Sequence, residues 1–166
     1  YIVLNPQVLH AANYGVPETR ERVFFIGIKR SALTPSAIEA LEQEVIPEKY
    51  NPYPSPTHNF NVNNEELAQP VKCRDVLHEL PEPNNSVDLA QQFYSKAKFL
   101  SNGSQGQTEI HYDGLGPTIR SEHHGNIEFR RLSKEHGGKI DEELNRGLQE
   151  RRLTPRECAL IQTFPP

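Results

Sequence analysis

Arg151-Arg152-Leu153-Thr154-Pro155-Arg156-Glu157-Cys158-Ala159-Leu160-Ile161-Gln162-Thr163-Phe164-Pro165-Pro166 closes the 166-residue chain. Thr154 and Glu157 stand at capping-box spacing, in which hydroxyl and carboxylate each take a backbone N–H that the first helical turn leaves bare. Pro155 lies between them at the first helical position, where its missing N–H costs nothing. A helix therefore starts at Pro155, with Leu153, Ala159, Leu160 and Phe164 as its apolar side. Cys158 inside it reads as a small buried residue.

The stretch to set beside it is Tyr14-Gly15-Val16-Pro17-Glu18-Thr19-Arg20-Glu21-Arg22-Val23. Residues 1–30 read as two strands around a turn punctuated by Asn13, Gly15 and Pro17. The apolar run 23–28 is rich in β-formers and suits a strand buried on both faces. Such a strand implies a sheet larger than this chain supplies. Arg20 and Arg22, two apart on a strand, are expected on one face.

Between the two stretches the elements are short. Thr34 caps a helix that Pro35 begins, with Ile38, Leu41 and Val45 on one side and Pro47 ending it. Residues 47–64 are rich in Pro and Asn and read as a linker. Residues 71–80 form a short amphipathic element. Ser86 is expected to cap a helix in which Leu89, Phe93, Ala97 and Leu100 share a face, stopped by Asn102-Gly103. Residues 104–136 read as strands and loops, and 140–148 as helical. The acidic clusters at 39–48 and 141–143 read as solvated helix faces. The fold class is α+β, small and irregular.

Apolar residues make up 35% of the chain, with fourteen prolines and ten glycines, so short elements and many loops are expected. The net charge of −4 excludes a global basic field and argues against strong non-specific DNA affinity for the chain by itself. Cys73 and Cys158 form no CxxC pair or disulfide framework, which fits a reducing cytoplasm. No apolar run is long enough for a membrane span. Gly114-Leu115-Gly116 is a lone GxG outside a strand-to-helix context. His111, His123 and His124 lack zinc-ligand spacing, so no metal site is expected. Both ends read as interior to a larger protein.

Three blocks, in order, resemble DNA cytosine-5 methyltransferases of bacterial restriction–modification systems. Residues 11–27, with Arg20-Glu21-Arg22, are similar to the family's eighth motif, Gln-x-Arg-x-Arg, with Glu18 where Gln is usual. Gly116-Pro117-Thr118-Ile119-Arg120 and the following residues 122–131 resemble the core of a target-recognition region. Residues 152–165 are similar to the ninth motif. The blocks cover roughly half of the chain. The family's donor-binding Phe-x-Gly-x-Gly, its Pro-Cys nucleophile motif and its Glu-Asn-Val motif are absent.

The resemblance implies an edge strand pair of a doubly wound α/β catalytic domain at 1–30, a target-recognition domain at 31–150 with the 47–64 linker, and the ninth-motif helix at 151–166. Its chemistry adds a cysteine thiolate to carbon 6 of a flipped cytosine, so that carbon 5 attacks the methyl of S-adenosylmethionine. Arg22 then matches the arginine at the flipped base's carbonyl oxygen, and Arg20 its neighbour at the nucleotide backbone. Thr118, Ile119, Arg120, His123, His124, Asn126, Arg130 and Arg131 are the implied DNA contacts. Arg152, Thr154, Arg156 and Glu157 are implied to organise the recognition region. The implied partners are double-stranded DNA and an N-terminal catalytic half that holds the donor; the chain alone is expected to be inactive. The alternatives are a non-catalytic DNA-binding module and the specificity subunit of a split enzyme.

Overall fold

The computed structural model of the chain describes residues 1–100, 106–120 and 127–165. It is a mixed α+β structure of short helices and two-stranded antiparallel sheets. Strands β1 (Ile2–Val3), β2 (Gln7–His10), β3 (Glu21–Phe24) and β4 (Gly27–Ile28) make one interrupted hairpin. β2 pairs with β3, placing Leu9 opposite Arg22, and β1 pairs with β4, placing Ile2 opposite Ile28. At the tip, His10 Nδ1 accepts the Ala12 N–H, and Gly15 turns the chain at φ 80°. A side chain on Gly15 would also strike the His58 ring, 2.7 Å from its Cβ position.

The run 23–28 is not one strand. It breaks between Phe24 and Gly27, and Val23, Phe24 and Phe25 are 53%, 46% and 76% exposed. Among the described residues no layer covers them, so the expected burial on both faces is not found. The opposite side of the hairpin is packed: Ile2, Leu4, Leu41 and Tyr53 form a small core. Helix α1 (Pro35–Leu41) supplies Leu41; Thr34 Oγ1 caps it by accepting the Ala37 N–H at 3.3 Å. It ends short of Val45, which is exposed.

The linker 47–64 is tied down. The Tyr53 hydroxyl lies 3.0 Å from the Asn5 carbonyl and 3.1 Å from that of Phe24. The Asn13 carbonyl accepts the N–H groups of Thr57 and His58. The second core joins α2 (Cys73–Leu77) to α5 (Pro155–Ile161) through Cys73, Leu77, Ile110, Tyr112, Ile140, Leu153 and Ile161.

α5 starts where the capping box places it: Thr154 Oγ1 accepts the Glu157 N–H at 3.0 Å, and Glu157 Oε2 accepts the Thr154 N–H at 2.9 Å. Its buried side is Leu153 and Ile161, while Phe164 is exposed. The helix expected from Ser86 is one turn only, α3 (Leu89–Gln92), capped by Asp88 rather than Ser86. From Phe93 the chain is extended, and Phe93 and Leu100 are exposed. Arg152 explains the difference. Its guanidinium takes the carbonyls of Ala97 (2.7 Å) and Lys98 (3.3 Å), which a helix would use internally. Strand β5 (Phe129–Arg131) pairs antiparallel with β6 (Arg151–Arg152), and α4 (Asp141–Asn145) lies between them in sequence. Among the described residues no helix is long and apolar enough to cross a membrane.

Candidate functional site

Residues 17–20 and 116–119 are stitched side by side. The Gly116 N–H donates to the Pro17 carbonyl at 2.8 Å, and the Thr19 N–H donates to the Gly116 carbonyl at 2.9 Å. The Thr118 hydroxyl donates to the Thr19 carbonyl at 2.7 Å, and the Thr19 hydroxyl to the Gly116 carbonyl at 3.0 Å. Beneath this seam lies Glu18, 2% exposed. Its Oε1 accepts the Ile119 N–H at 2.7 Å and lies 3.4 Å from Arg20 Nη1.

Arg20 precedes β3, and its Nη1 also lies 3.4 Å from the Ile119 carbonyl. Arg22 lies within β3 and is exposed; its Nη1 donates to the Glu21 carbonyl at 2.6 Å. Thus one arginine is anchored to the 116–119 segment while the other is exposed. Arg120, next along that segment, is exposed. It lines a groove of about 360 Å³ with Phe93, Tyr94, Ile119, Ile127 and Cys158. His123, His124 and Asn126 lie outside the described residues.

Arg130 and Arg131 depart from the expected DNA contacts: they are 3% and 0% exposed. Arg130 Nη2 donates to Glu143 Oε1, and Arg131 reaches Glu143 Oε2 and Glu82 Oε2, each at 2.5 Å. Buried this way, neither guanidinium is presented to a phosphate or a base. Arg130 leaves Nε and Nη1 without an acceptor, but its guanidinium carbon sits 4.2 Å from the Tyr112 ring centroid. Glu143, read from sequence as part of a solvated face, is buried, while Asp141 and Glu142 beside it are exposed.

The C-terminal block joins this same cluster. Arg151 grips Glu157 with two parallel bonds of 2.8 Å each and lies 3.2 Å from Glu82. Arg156 Nε donates to Asp88 Oδ2 at 2.5 Å, and the Thr154 hydroxyl to Gln91 Oε1 at 2.6 Å. Burial alone would raise the Glu82 carboxyl, but its hydrogen bonds with Arg151 and Arg131 outweigh that and hold it below its ordinary value. Glu82 and Glu143 carry no local signal of their role, because their arginine partners lie between 12 and 69 positions away along the chain.

Burial pushes the Cys73 and Cys158 thiols up to about 12. Almost no thiolate is present at neutral pH, so neither is an activated nucleophile. The lone GxG is closed as well: a Cβ on Gly116 would sit 3.0 Å from Cys73 Sγ and from the Ile161 side chain. That glycine serves close packing, and the segment offers no cradle for a nucleotide. Among the described residues no group of three His, Cys, Asp or Glu side chains could hold a metal ion.

With the seam, the outward arginine and the buried cluster in place, the class follows. The chain belongs to the C-5 cytosine-specific DNA methylase family, whose sequence model matches residues 3–166. It is similar to the Type II methyltransferase M.BsuRI of Bacillus subtilis, 29% identical over 163 residues that take in 96% of this chain and 31% of that protein. The chain thus spans about a third of the length of that relative. No solved structure matches it.

Proposed function

We propose that this chain is the DNA-recognition part of a cytosine-5 methyltransferase and contributes the arginines that grip the flipped base. The observation that carries the reading is the seam between 17–20 and 116–119, which holds Arg20, Thr118 and Ile119 together, with Arg120 next along the chain and Arg22 facing outward. A flipped cytosine presents its carbonyl oxygen to a fixed guanidinium, which stabilises the charge that builds on the ring as a thiolate adds. Arg22 takes that role, and Arg20 the nucleotide backbone. Thr118 shapes the loop, and Arg120 reads DNA.

The methyl comes from S-adenosylmethionine in this family's chemistry. Among the described residues the GxG is packed shut and so offers the donor no cradle, and the two thiols are held protonated and so offer no nucleophile. Donor and nucleophile therefore belong to the remainder of the enzyme. The exposed apolar side of the hairpin, with Val3, Val8, Val23 and Phe25, supports docking onto that remainder. The work site is chromosomal DNA in a bacterial cytoplasm.

The test is methylation of a random duplex pool with labelled S-adenosylmethionine, read by sequencing. The full-length protein should methylate cytosine within one short site, and residues 1–166 alone should transfer no label. Label transferred by residues 1–166, or binding without methylation by the full-length protein, would overturn the reading. Arg120→Ala should relax discrimination at one position of the site by about 1–3 kcal/mol. Even weakening across all sequences would instead make Arg120 a phosphate contact.

A further inference from the structure

We propose, on that reading, that Glu18 is a positioning residue that locks Arg20 and the recognition segment into one fixed relation. The backbone seam accounts for Pro17, Thr19 and Gly116, and its ladder stops there. The Glu18 side chain adds the next rung. One carboxylate oxygen accepts the Ile119 N–H at 2.7 Å, and the same oxygen faces Arg20 Nη1 at 3.4 Å. Arg20 Nη1 in turn lies 3.4 Å from the Ile119 carbonyl. Carboxylate, guanidinium and the two backbone groups of Ile119 thus close a triangle, in which moving Ile119 moves Arg20.

Burial makes the device stiff. Glu18 is 2% exposed, so water offers its carboxylate no ready replacement for the Ile119 N–H, while Arg20 keeps 36% of its side chain open to solvent. Ile119 also packs against the core that joins α2 and α5, which fixes the triangle to the body of the domain. The consequence is directional: contacts made by Arg120 on DNA set Ile119, and through Glu18 they set Arg20. A glutamine here would still offer an acceptor to the Ile119 N–H, but no charge to Arg20. The acid therefore does two jobs that the amide separates.

The experiment compares Glu18→Ala and Glu18→Gln in the full-length protein. It measures kcat, KM for duplex, fraction of active enzyme by titration, and amide hydrogen exchange at Ile119. Glu18→Ala should lower kcat per active enzyme by about tenfold or more while KM stays within about threefold, and should speed exchange at Ile119. Glu18→Gln should keep slow exchange at Ile119 but recover only part of kcat, because the amide holds the segment and brings no charge to Arg20. Unchanged kcat in Glu18→Ala, or a loss explained wholly by the inactive fraction, would overturn the proposal. Slow Ile119 exchange in Glu18→Ala would do the same. Should the wild type methylate no duplex, the methyltransferase reading fails, and the exchange at Ile119 still decides whether Glu18 fixes the segment.

Discussion

Replacing Glu157 by Ala should cost about 3–5 kcal/mol of stability, the scale for breaking a buried ion pair by removing one partner. The carboxylate is 1% exposed and serves four groups. It accepts both arms of Arg151 at 2.8 Å and the Thr154 N–H at 2.9 Å, and it lies 3.6 Å from Arg130 Nε. Alanine leaves two guanidinium groups under-compensated inside the protein and opens half of the capping box of α5. Urea unfolding checks it. Glu157→Gln should fall between wild type and Glu157→Ala, because the amide oxygen can still accept the Thr154 N–H. A loss below about 1 kcal/mol would show that water reaches the cluster on removal of the carboxylate.

The same cluster has a pH signature. Glu82 is held below its ordinary 4.5, where the Arg151 and Arg131 bonds outweigh burial. A depressed carboxyl stabilises the fold at pH above that ordinary value, and the contribution is lost as pH falls through the folded-state value. Stability should thus decline on acidification below about 4.5. Glu82→Gln should flatten that decline. An unchanged acid limb in Glu82→Gln would place the titration elsewhere.

The second large effect is catalytic. Arg22→Ala in the full-length enzyme should lower kcat by about 10²–10³, the scale for removing one preorganised donor at developing charge. Arg22 is exposed and bonded only to its neighbour's carbonyl, so its loss leaves no buried group unpaired. Affinity for duplex DNA should change by less than about threefold, since one solvated arginine adds little to non-specific binding. Equal losses in kcat and affinity would make Arg22 a phosphate contact instead. Arg22→Lys should not rescue, because a point charge lacks the planar fork.

Local devices were legible in the sequence, and long-range ones were not. The Thr154–Glu157 box and the Thr34-Pro35 start are complete within one turn of chain, so they announce their helices. The hairpin was visible from its strand-forming runs and its Asn13–Pro17 turn, though its break at Phe25 was not. The helix expected from Ser86 failed because Arg152, more than fifty positions downstream, claims the carbonyls of Ala97 and Lys98. Arg130 and Arg131 looked like DNA contacts because an arginine pair near a recognition block has the same appearance whether solvated or buried. Only the placement of Glu82 and Glu143 reveals their burial. The role of Glu18 had half a signal: its departure from the usual Gln set the position apart, while its bond to Ile119 spans a hundred residues.

Among the described residues, the Arg152 guanidinium donates to the main-chain oxygens of Ala97, Lys98, Gly106 and Ile127. Every amino acid carries that oxygen. Substitutions at Ala97, Lys98 and Ile127 therefore leave the strut's attachment points in place, whereas Gly106, at φ 71°, favours glycine. On the function proposed above, the segments around residues 116–131 can diverge, and acquire preference for a different DNA site, without renegotiating the frame that holds them. The arginine, by contrast, has no substitute: lysine cannot reach four oxygens from one planar head. Relatives that read other sites should thus be free to vary the attached residues other than Gly106 and bound to keep the attaching one.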